Sequence, residues 1–463
     1  MSRSKQSIGF HPRRSGAAGR HRASCAAVLA LATALLAAAC GSGTSGTASA
    51  AAPPAGYKPG VLDRQFAGTT IDVLLPPWGA MPSADLAQFT KQTGIKVDLQ
   101  TLSWDSIHDK VATSESAGIA PADVTEVDWS WVGQFGAADW YTPLGAWLPS
   151  SLIQSSQVSA IFKYQGAQIA MPYNIDWRSS VINMTDFKKA GIDTAPTTWS
   201  QLISDAKRIK AKGIVQYPIG LPLSVTEGGA TPWFALTKAE GGQVLTSADA
   251  PTFGSPSSAG GQALSFEATL YKDGLVPPGE TSLTDVQTTS LFESGQVAFV
   301  MSQSPGDLAV MTTPSASKVA HDQIDFVPMP GPDGPAKATF GLPEGLGIPK
   351  QSTHKGAAAM FIAWWEQRSQ LLTSYDNPNM GNLPPVTSVL KYLSADNKLV
   401  DGAEVLRILP TVKPLFPNGT PGWYPQFSTD VSTMIQSVVE GKEQVAAALS
   451  SLASQTRSLQ SSG

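Results

Sequence analysis

Strand and helix signals alternate along most of the chain after residue 60, and this alternation restricts the possible folds more than any other feature of the sequence. Residues 71–75 form an apolar run that is typical of a buried strand. A helix signal then begins with Ser83 as its N-cap, and Gly94 follows its end. Residues 95–100 alternate apolar and polar side chains, as a second strand does. This order predicts a βαβ unit at the start of the folded chain.

The alternation continues in a less regular form toward the C-terminus. Residues 161–164 and 168–171 predict a hairpin, and residues 179–183 predict a further strand. Thr198 and Gln201 have the spacing of a capping box, which predicts that a helix begins there. Mixed alternation over this length, interrupted by hairpins, predicts an α/β protein of two lobes.

The first 39 residues have the composition of an export signal. They contain six Lys and Arg, no Asp or Glu, and an apolar run over residues 26–39 that is too short to span a membrane. Residues 36–41, with the sequence LAAACG, resemble a bacterial lipobox, in which the signal is cut before a cysteine that then carries lipid. We therefore expect lipidation at Cys40 and anchoring to the outer face of the cytoplasmic membrane. Cleavage after an Ala-x-Ala site stays open as the alternative, because a lipobox usually has Leu at the position of Ala37.

Residues 40–60 are predicted to form a flexible tether, since Gly, Ser, Thr, Ala and Pro dominate there. The only other cysteine, Cys25, lies in the signal, so the mature chain has no internal disulfide and depends on its core. Of 32 Lys and Arg, six leave with the signal, and the remaining 26 against 36 Asp and Glu give a net charge of about −10. This balance argues against nucleic acid as a partner. The 12 Trp suit an uncharged, ring-shaped ligand.

The sequence offers little support for catalysis, a metal site or a cofactor. The mature chain has three histidines, His108, His321 and His354, and none has another metal ligand at zinc-binding spacing. Nucleophile, phosphate-loop and dinucleotide motifs are missing. A pair of carboxylates for glycoside hydrolysis stays open, because such pairs meet only in the folded protein. The candidates for such a pair are Glu126, Asp128, Asp176, Glu227 and Glu344.

A series of short motifs in fixed order resembles the extracellular solute-binding proteins of ATP-driven importers, in the sugar-type group related to maltose-binding protein. The motifs are TGIKV at 93–97, PADV at 121–124, LGAWL at 144–148, AMPYN at 170–174, FKKAGI at 187–192, LYKDGLVPPG at 270–279 and IPK at 348–350. The resemblance covers nearly all of residues 61–452. It is the order of the motifs that is specific, because each motif alone is mostly structural.

The resemblance implies a two-lobed, type II periplasmic-binding-protein fold, with a mixed sheet flanked by helices in each lobe and a ligand cleft between the lobes. The expected first lobe spans residues 61–175 and about 303–349, and the second spans 176–302 and about 350–463. A monomer of this kind closes on a small solute, most often a carbohydrate, and delivers it to a membrane permease without chemistry. The alternatives are an exported glycoside hydrolase and a solute sensor without an importer.

Candidate ligand contacts lie on loops that follow predicted strands or precede helices. Asp176 is the principal polar candidate, and its competing interpretation is a salt bridge at the hinge. Core packing is the alternative for Trp233, loop packing for Trp78, and a solvated turn for Glu344. The full set of candidates is Trp78, Asp128, Trp129, Asp176, Trp177, Trp233, Gln303, Glu344, Trp423 and Tyr424.

Overall fold

A computed structural model of the chain describes residues 52–312, 315 and 317–462. The predicted signal, Cys40 and most of the predicted tether lie outside these residues. None of the helices in the described part of the chain combines the length and the apolar character that a bilayer span requires.

The elements follow one another in the mixed order that the sequence predicts. The strands are β1 (Thr70–Leu75), β2 (Lys96–Thr101), β3 (Val124–Asp128), β4 (Lys163–Tyr164), β5 (Ala167–Gln168), β6 (Ala170–Asn174), β7 (Ser179–Asn183), β8 (Ile219–Gly220), β9 (Phe299–Gln303), β10 (Ile324–Val327), β11 (Thr339–Phe340), β12 (Glu344–Gly347) and β13 (Val412–Lys413). The helices are α1 (Ser83–Thr93), α2 (Trp104–Ser116), α3 (Val132–Ala137), α4 (Ser150–Ile153), α5 (Met184–Lys189), α6 (Trp199–Ala211), α7 (Glu227–Ala239), α8 (Ala259–Lys272), α9 (Asp285–Glu293), α10 (Pro305–Met311), α11 (Lys355–Trp365), α12 (Arg368–Asp376), α13 (Thr387–Ala395), α14 (Gly402–Ile408), α15 (Tyr424–Val439) and α16 (Val445–Ser462).

The first lobe is built on a five-stranded sheet in the order β2-β1-β3-β12-β6. Strand β1 pairs in parallel with β2 and β3, as the predicted βαβ unit requires. Strand β12 comes from much later in the chain and pairs antiparallel with both β3 and β6. Every residue of β3 is buried, because the strand lies in the middle of the sheet.

The second lobe is built on a four-stranded sheet in the order β10-β7-β9-β8. Strand β7 lies between β10 and β9 and is antiparallel to both. Helices α7, α8, α15 and α16 pack on one another in this lobe. Residues 228–239 of α7 are all buried, so this helix has no face toward solvent. The two sheets with their helices confirm the predicted α/β class and the two-lobed architecture.

Two segments that connect the lobes pair with each other. One follows β6 and leads to β7, and the other precedes β12. Trp177 and Gly341 form an antiparallel bridge, and the Leu342 amide donates to the Asp176 carbonyl over 2.9 Å. We call residues 175–178 and 341–343 the crossing segments. They carry Asp176 and end next to Glu344, so they place both carboxylates where the lobes meet.

Most local predictions agree with the structure, and the differences concern helix starts. Thr198 and Gln201 form the predicted capping box of α6. Helix α1 begins one residue earlier than predicted, because Pro82 is its N-cap and Ser83 is its first residue. Helix α11 has His354 as its N-cap, and the Ser352 hydroxyl just before it donates to Asp123 over 2.7 Å.

The chain boundaries of the lobes stay a prediction, but two elements lie on the other side from the one predicted. Strand β10 lies within the span predicted for the first lobe and pairs with β7 of the second sheet. Helix α11 lies within the span predicted for the second lobe, and its Phe361 and Trp365 rings pack against Phe89 and Tyr173 of the first lobe. The order of motifs along the chain could not show these pairings, which join residues far apart in sequence.

The end of the predicted tether is part of the folded first lobe. The Tyr57 ring lies 5.5 Å from the Trp147 ring, and its hydroxyl donates to the Trp147 carbonyl over 2.8 Å. Tyr57 is the one large aromatic residue in residues 40–60. Folded structure therefore begins before residue 61.

Close packing at Gly347 in β12 leads to a test of the first sheet. A Cβ atom there would lie 2.6 Å from two Tyr141 ring carbons and 2.6 Å from the Val127 Cγ2 atom. We expect Gly347→Ala to lower the free energy of unfolding by about 1–3 kcal/mol through overpacking. Gly145→Ala is the matched control, because nothing lies within 4 Å of its added Cβ. Urea denaturation of both variants measures the effect, and equal stability would contradict this packing.

Candidate functional site

A cavity of about 340 Å³ lies where the two lobes face each other. The first lobe contributes the ends of its strands and the start of α2, and the second lobe contributes the starts of α7 and α9. We call it the central cavity. Its walls include Trp78, Trp104, Asp105, Asp128, Trp129, Asp176, Arg178, Thr226, Glu227, Asp285, Leu342 and Glu344.

Glu344 is held by three donors from two parts of the first lobe, the loop after β1 and strand β6. The Trp78 indole Nε1 donates to both carboxylate oxygens, over 2.8 and 2.9 Å. Asn174 Nδ2 donates to Oε2 over 3.0 Å, and the Tyr173 hydroxyl lies 3.3 Å from the same oxygen. Burial raises the pKa of Glu344 to about 7, although the hydrogen bond from Asn174 acts in the opposite direction. The site therefore fixes this carboxylate firmly at a cost in desolvation.

Asp128 lies beside Glu344 on the neighbouring strand. The two residues are register partners in the antiparallel pairing of β12 with β3. The Asp128 Oδ1 atom accepts from the Ser130 amide over 2.8 Å and from the Ser130 hydroxyl. Burial raises the pKa of Asp128 well above its ordinary value, and the Glu344 charge adds to this increase. Glu126, two residues earlier on β3, is fully buried behind them, and burial also raises its pKa.

Asp176 forms an ion pair with Arg178 on the first crossing segment. The Arg178 Nη1 atom lies 2.8 Å from Asp176 Oδ2, and Nη2 lies 3.9 Å from Asp285 Oδ2 of the second lobe. Burial raises the pKa of Asp176, and the Arg178 charge offsets part of this increase. The salt bridge that the sequence left open as the alternative for Asp176 is thus present, and Asp176 also lines the cavity.

A neighbouring cavity of about 390 Å³ shares four wall residues with the central one. The shared residues are Trp104, Asp105, Thr226 and Glu227, and the further lining includes Trp131 and Tyr424. The Tyr424 and Ser428 hydroxyls each donate to Glu227 over 2.5 Å. The cleft is therefore longer than the central cavity alone, and Glu227 lies at the junction of its two parts.

The structure brings half of the predicted contacts together at the central cavity. These are Trp78, Asp128, Trp129, Asp176 and Glu344. Tyr424 lines the neighbouring cavity. Gln303 is the last residue of β9 and does not lie past the strand. It lines a separate cavity of about 180 Å³, whose walls share Arg178 and Asp285 with the central cavity. The ligand contact predicted for each of them stays a prediction.

Three predicted aromatic residues do not reach the central cavity. Trp233 is 0% exposed in the middle of α7, and its indole donates to the Gly260 carbonyl over 2.7 Å. Trp177 is also 0% exposed and packs in the core. Trp423 is half-buried, and its ring lies 5.7 Å from that of Phe427. Trp233 therefore packs in the core, which was the alternative interpretation of this residue, because every face of its helix is covered.

Sequence reasoning missed several wall residues as ligand contacts. Trp104 directly follows the second strand and would have been found by the same strand-end argument that selected Trp78 and Asp128. Arg178 lies two residues after Asp176. Asp285 begins a helix of the second lobe and has no sequence signal that distinguishes it from a surface acid. Within the described residues, no group of three or more His, Cys, Asp or Glu could hold a metal ion.

Two α/β lobes that enclose an acidic cavity with tryptophan on its walls define a binding protein of the two-lobed periplasmic class. A model of the family described as bacterial extracellular solute-binding protein matches residues 79–369. This match spans more than half of the chain, so the chain belongs to that family. The resemblance found in the motifs is thereby confirmed.

Similar proteins agree with this assignment. The chain is 26% identical over 318 residues to a Sinorhizobium fredii protein described as a probable amino-acid ABC transporter periplasmic-binding protein, covering 65% of this chain and 70% of that protein. A solute-binding protein of Thermotoga lettingae bound with α-D-tagatose has a TM-score of 0.72 at 22% identity, with 84% of this chain and 99% of that chain covered. One of Agrobacterium radiobacter in complex with ribitol has a TM-score of 0.74 at 20% identity, with 87% and 100% covered. These two structures establish the likeness of fold.

The raised pKa of Glu344 predicts a pH-dependent effect of its replacement. A folded-state pKa of about 7 against an ordinary value of 4.5 means that this group lowers the stability of the empty protein as pH rises from about 4.5 to 7. Glu344→Gln removes that dependence. We expect the melting temperature of the variant, relative to the wild type, to be higher at pH 8 than at pH 5.

Thermal melts of the ligand-free protein at both pH values measure this difference, which is independent of any constant loss of hydrogen bonding in the variant. Asp193→Asn, at an exposed position, is the control and should show the same offset at both pH values. If the difference in melting temperature between Glu344→Gln and the wild type does not change with pH, ionisation of this carboxylate does not lower the stability of the folded protein.

Proposed function

We propose that this protein captures a sugar or oligosaccharide between its lobes and delivers it to the membrane permease of an ABC importer, without altering the solute. The central cavity carries this proposal, because it has the size of a small solute and takes its walls from both lobes. Two half-buried tryptophans, Trp78 and Trp104, offer aromatic surface, and fixed carboxylates offer hydrogen-bond acceptors. This combination suits a ring that has one apolar face and polar edges.

Closure of the lobes would supply the affinity. Walls on opposite lobes contact the same ligand only when the lobes approach, so the ligand stabilises the closed form by its differential affinity. The crossing segments are the paired connection about which the lobes would move. Solutes of this type are also named for related folds, including the tagatose and ribitol complexes.

A panel of sugars and polyols tests the binding role. A thermal-shift screen of the mature chain identifies the solute, since a ligand that binds only the native state raises the melting temperature. Isothermal titration should then give a dissociation constant in the micromolar range. Turnover of glycan substrates, detected by product analysis of the same mixtures, would favour the glycoside hydrolase instead.

Trp104 provides a variant test, because it lines both parts of the cleft. We expect Trp104→Ala to weaken binding of the identified solute by about tenfold, which corresponds to about 1.4 kcal/mol. Trp140→Ala is the matched control, since Trp140 is half-buried against Phe135 and lies outside the cleft walls. Equal affinities for both variants would remove Trp104 from the site.

The lipid anchor at Cys40 belongs to the same proposal. We expect the wild-type protein to fractionate with the membrane in the producing bacterium and Cys40→Ser to be released into the soluble extracellular fraction. Identical fractionation of the two forms would favour cleavage at an Ala-x-Ala site. A permease that binds the solute-loaded protein distinguishes an importer from a sensor.

A further inference from the structure

The charged side chains on the walls of the central cavity are strongly unbalanced. Six carboxylates line it: Asp105, Asp128, Asp176, Glu227, Asp285 and Glu344. Among the described residues that line it, Arg178 is the one basic side chain. Its guanidinium lies 2.8 Å from Asp176 and 3.9 Å from Asp285, so its charge is already shared between those two acids.

Helix ends offset part of the remaining charge. Asp105, Glu227 and Asp285 each lie in the first turn of a helix, where the partial positive charge of the helix N-terminus is favourable for an acid. Asp128 and Glu344 have no such offset, because they lie on neighbouring strands as register partners. Neither forms an ion pair within the described part of the chain. Two carboxylates side by side on paired strands repel each other.

Asp128 supplies an independent indication of a ligand. Asp128 is only 5% exposed and lies on the cavity wall. Both donors that it receives, the amide and the hydroxyl of Ser130, bind Oδ1. No hydrogen bond from the described residues reaches Oδ2. This oxygen is not among the fully buried atoms that lack a partner, so it faces the open cavity, where the donor group of a ligand can reach it.

The tryptophan walls are compatible with a cationic donor as well as with a neutral ring. Trp78, Trp104 and Trp129 line the same cavity as the carboxylates, and an aromatic face attracts an ammonium group. A neutral hydroxyl could donate to Asp128, but it brings no positive charge to the neighbouring carboxyl groups of Asp128 and Glu344. An ammonium group satisfies both requirements.

We propose that the solute is a saccharide or polyol that carries a protonated amine, with the ammonium group donating to Asp128 beside Glu344 and the carbon skeleton against the tryptophans. This inference rests on the proposed function and narrows its substrate class. It differs from the uncharged ligand that the overall composition indicates, because the charge of the cleft is set by a few residues and not by the surface average.

The protonation of the empty cleft agrees with this assignment. Burial raises the pKa of Glu344 to about 7 and raises the pKa values of Asp128, Asp176 and Glu227. Protons therefore neutralise part of the wall charge when the cleft is empty. An ammonium group would replace these protons, so binding of an amine should release protons to the buffer.

Matched sets of ligands test the proposal with the mature wild-type chain. Each set contains a neutral sugar, its amine and the N-acetylated amine: for example glucose, glucosamine and N-acetylglucosamine, with the corresponding galactose, mannose and disaccharide sets. In isothermal titrations at pH 6.5, where a sugar amine carries its proton before it binds, we expect the amine of at least one set to bind at least tenfold more tightly than its two partners. The apparent enthalpy of that amine should vary with the ionisation enthalpy of the buffer.

The wild-type comparison decides the proposal by itself. Neutral or N-acetylated members that bind as tightly as the amines overturn this inference and leave the proposed function intact. If no member of any set binds, both the saccharide class and this inference fail. Binding of amines without proton release would place the ammonium group away from the buried carboxylates and would also overturn the assignment.

A variant then locates the charge preference. Asp128→Asn should reduce the tenfold preference for the amine over the neutral sugar to less than threefold, whatever its effect on the affinity for the neutral sugar itself. Asp193→Asn is the matched control at an exposed position outside the cleft and should keep the full preference. An unchanged preference in a folded Asp128→Asn protein would exclude Asp128 as the partner of the amine.

Discussion

The pairing of the two crossing segments is the constraint on which the rest of the structure depends. The Trp177–Gly341 bridge and the hydrogen bond from Leu342 to Asp176 join two stretches of chain that run between the two large sheets. Because β12 begins directly after one crossing segment, it enters the first sheet between β3 and β6. This insertion brings Glu344 next to Asp128, although more than 200 residues separate them in sequence. The position of the cleft and the grouping of its carboxylates both follow from this one pairing.

The grouped carboxylates link the energy of the fold to its function. Desolvation raises the pKa values of several acids at the cleft, which means that the empty protein bears a cost at these positions. The donors from Trp78, Asn174 and Tyr173 hold Glu344 in place in spite of that cost. A scaffold that fixes acceptors in this way before the ligand arrives loses less conformational entropy on binding. The cost in the empty state and the affinity for a donor are therefore two consequences of the same burial.

The sequence predicted the first lobe's part of the site better than the second lobe's. Trp78, Asp128 and Glu344 were found because they were placed on loops next to predicted strands, and such side chains gather at one edge of a sheet. Asp285 was not found, and neither was the position of Glu227 on the cavity wall. Nothing in the sequence of a helix start shows that it faces another lobe. Trp233 was proposed for the cleft on the basis of the family resemblance, but residues 228–239 are buried on all sides of α7. Burial of a whole helix depends on the elements that pack around it, here the next helix, α8, and α15, which lies much later in the sequence.

The central claim is that two lobes enclose one solute at the central cavity and leave its covalent bonds unchanged. The most direct measurement is a crystal structure of the mature chain grown with the solute that the binding screen identifies. The account predicts an intact solute between Trp78, Trp104 and Asp128, with contacts from both the first lobe and the start of α7 or α9. A solute bound at another surface, or a cleaved product in the central cavity, would contradict it.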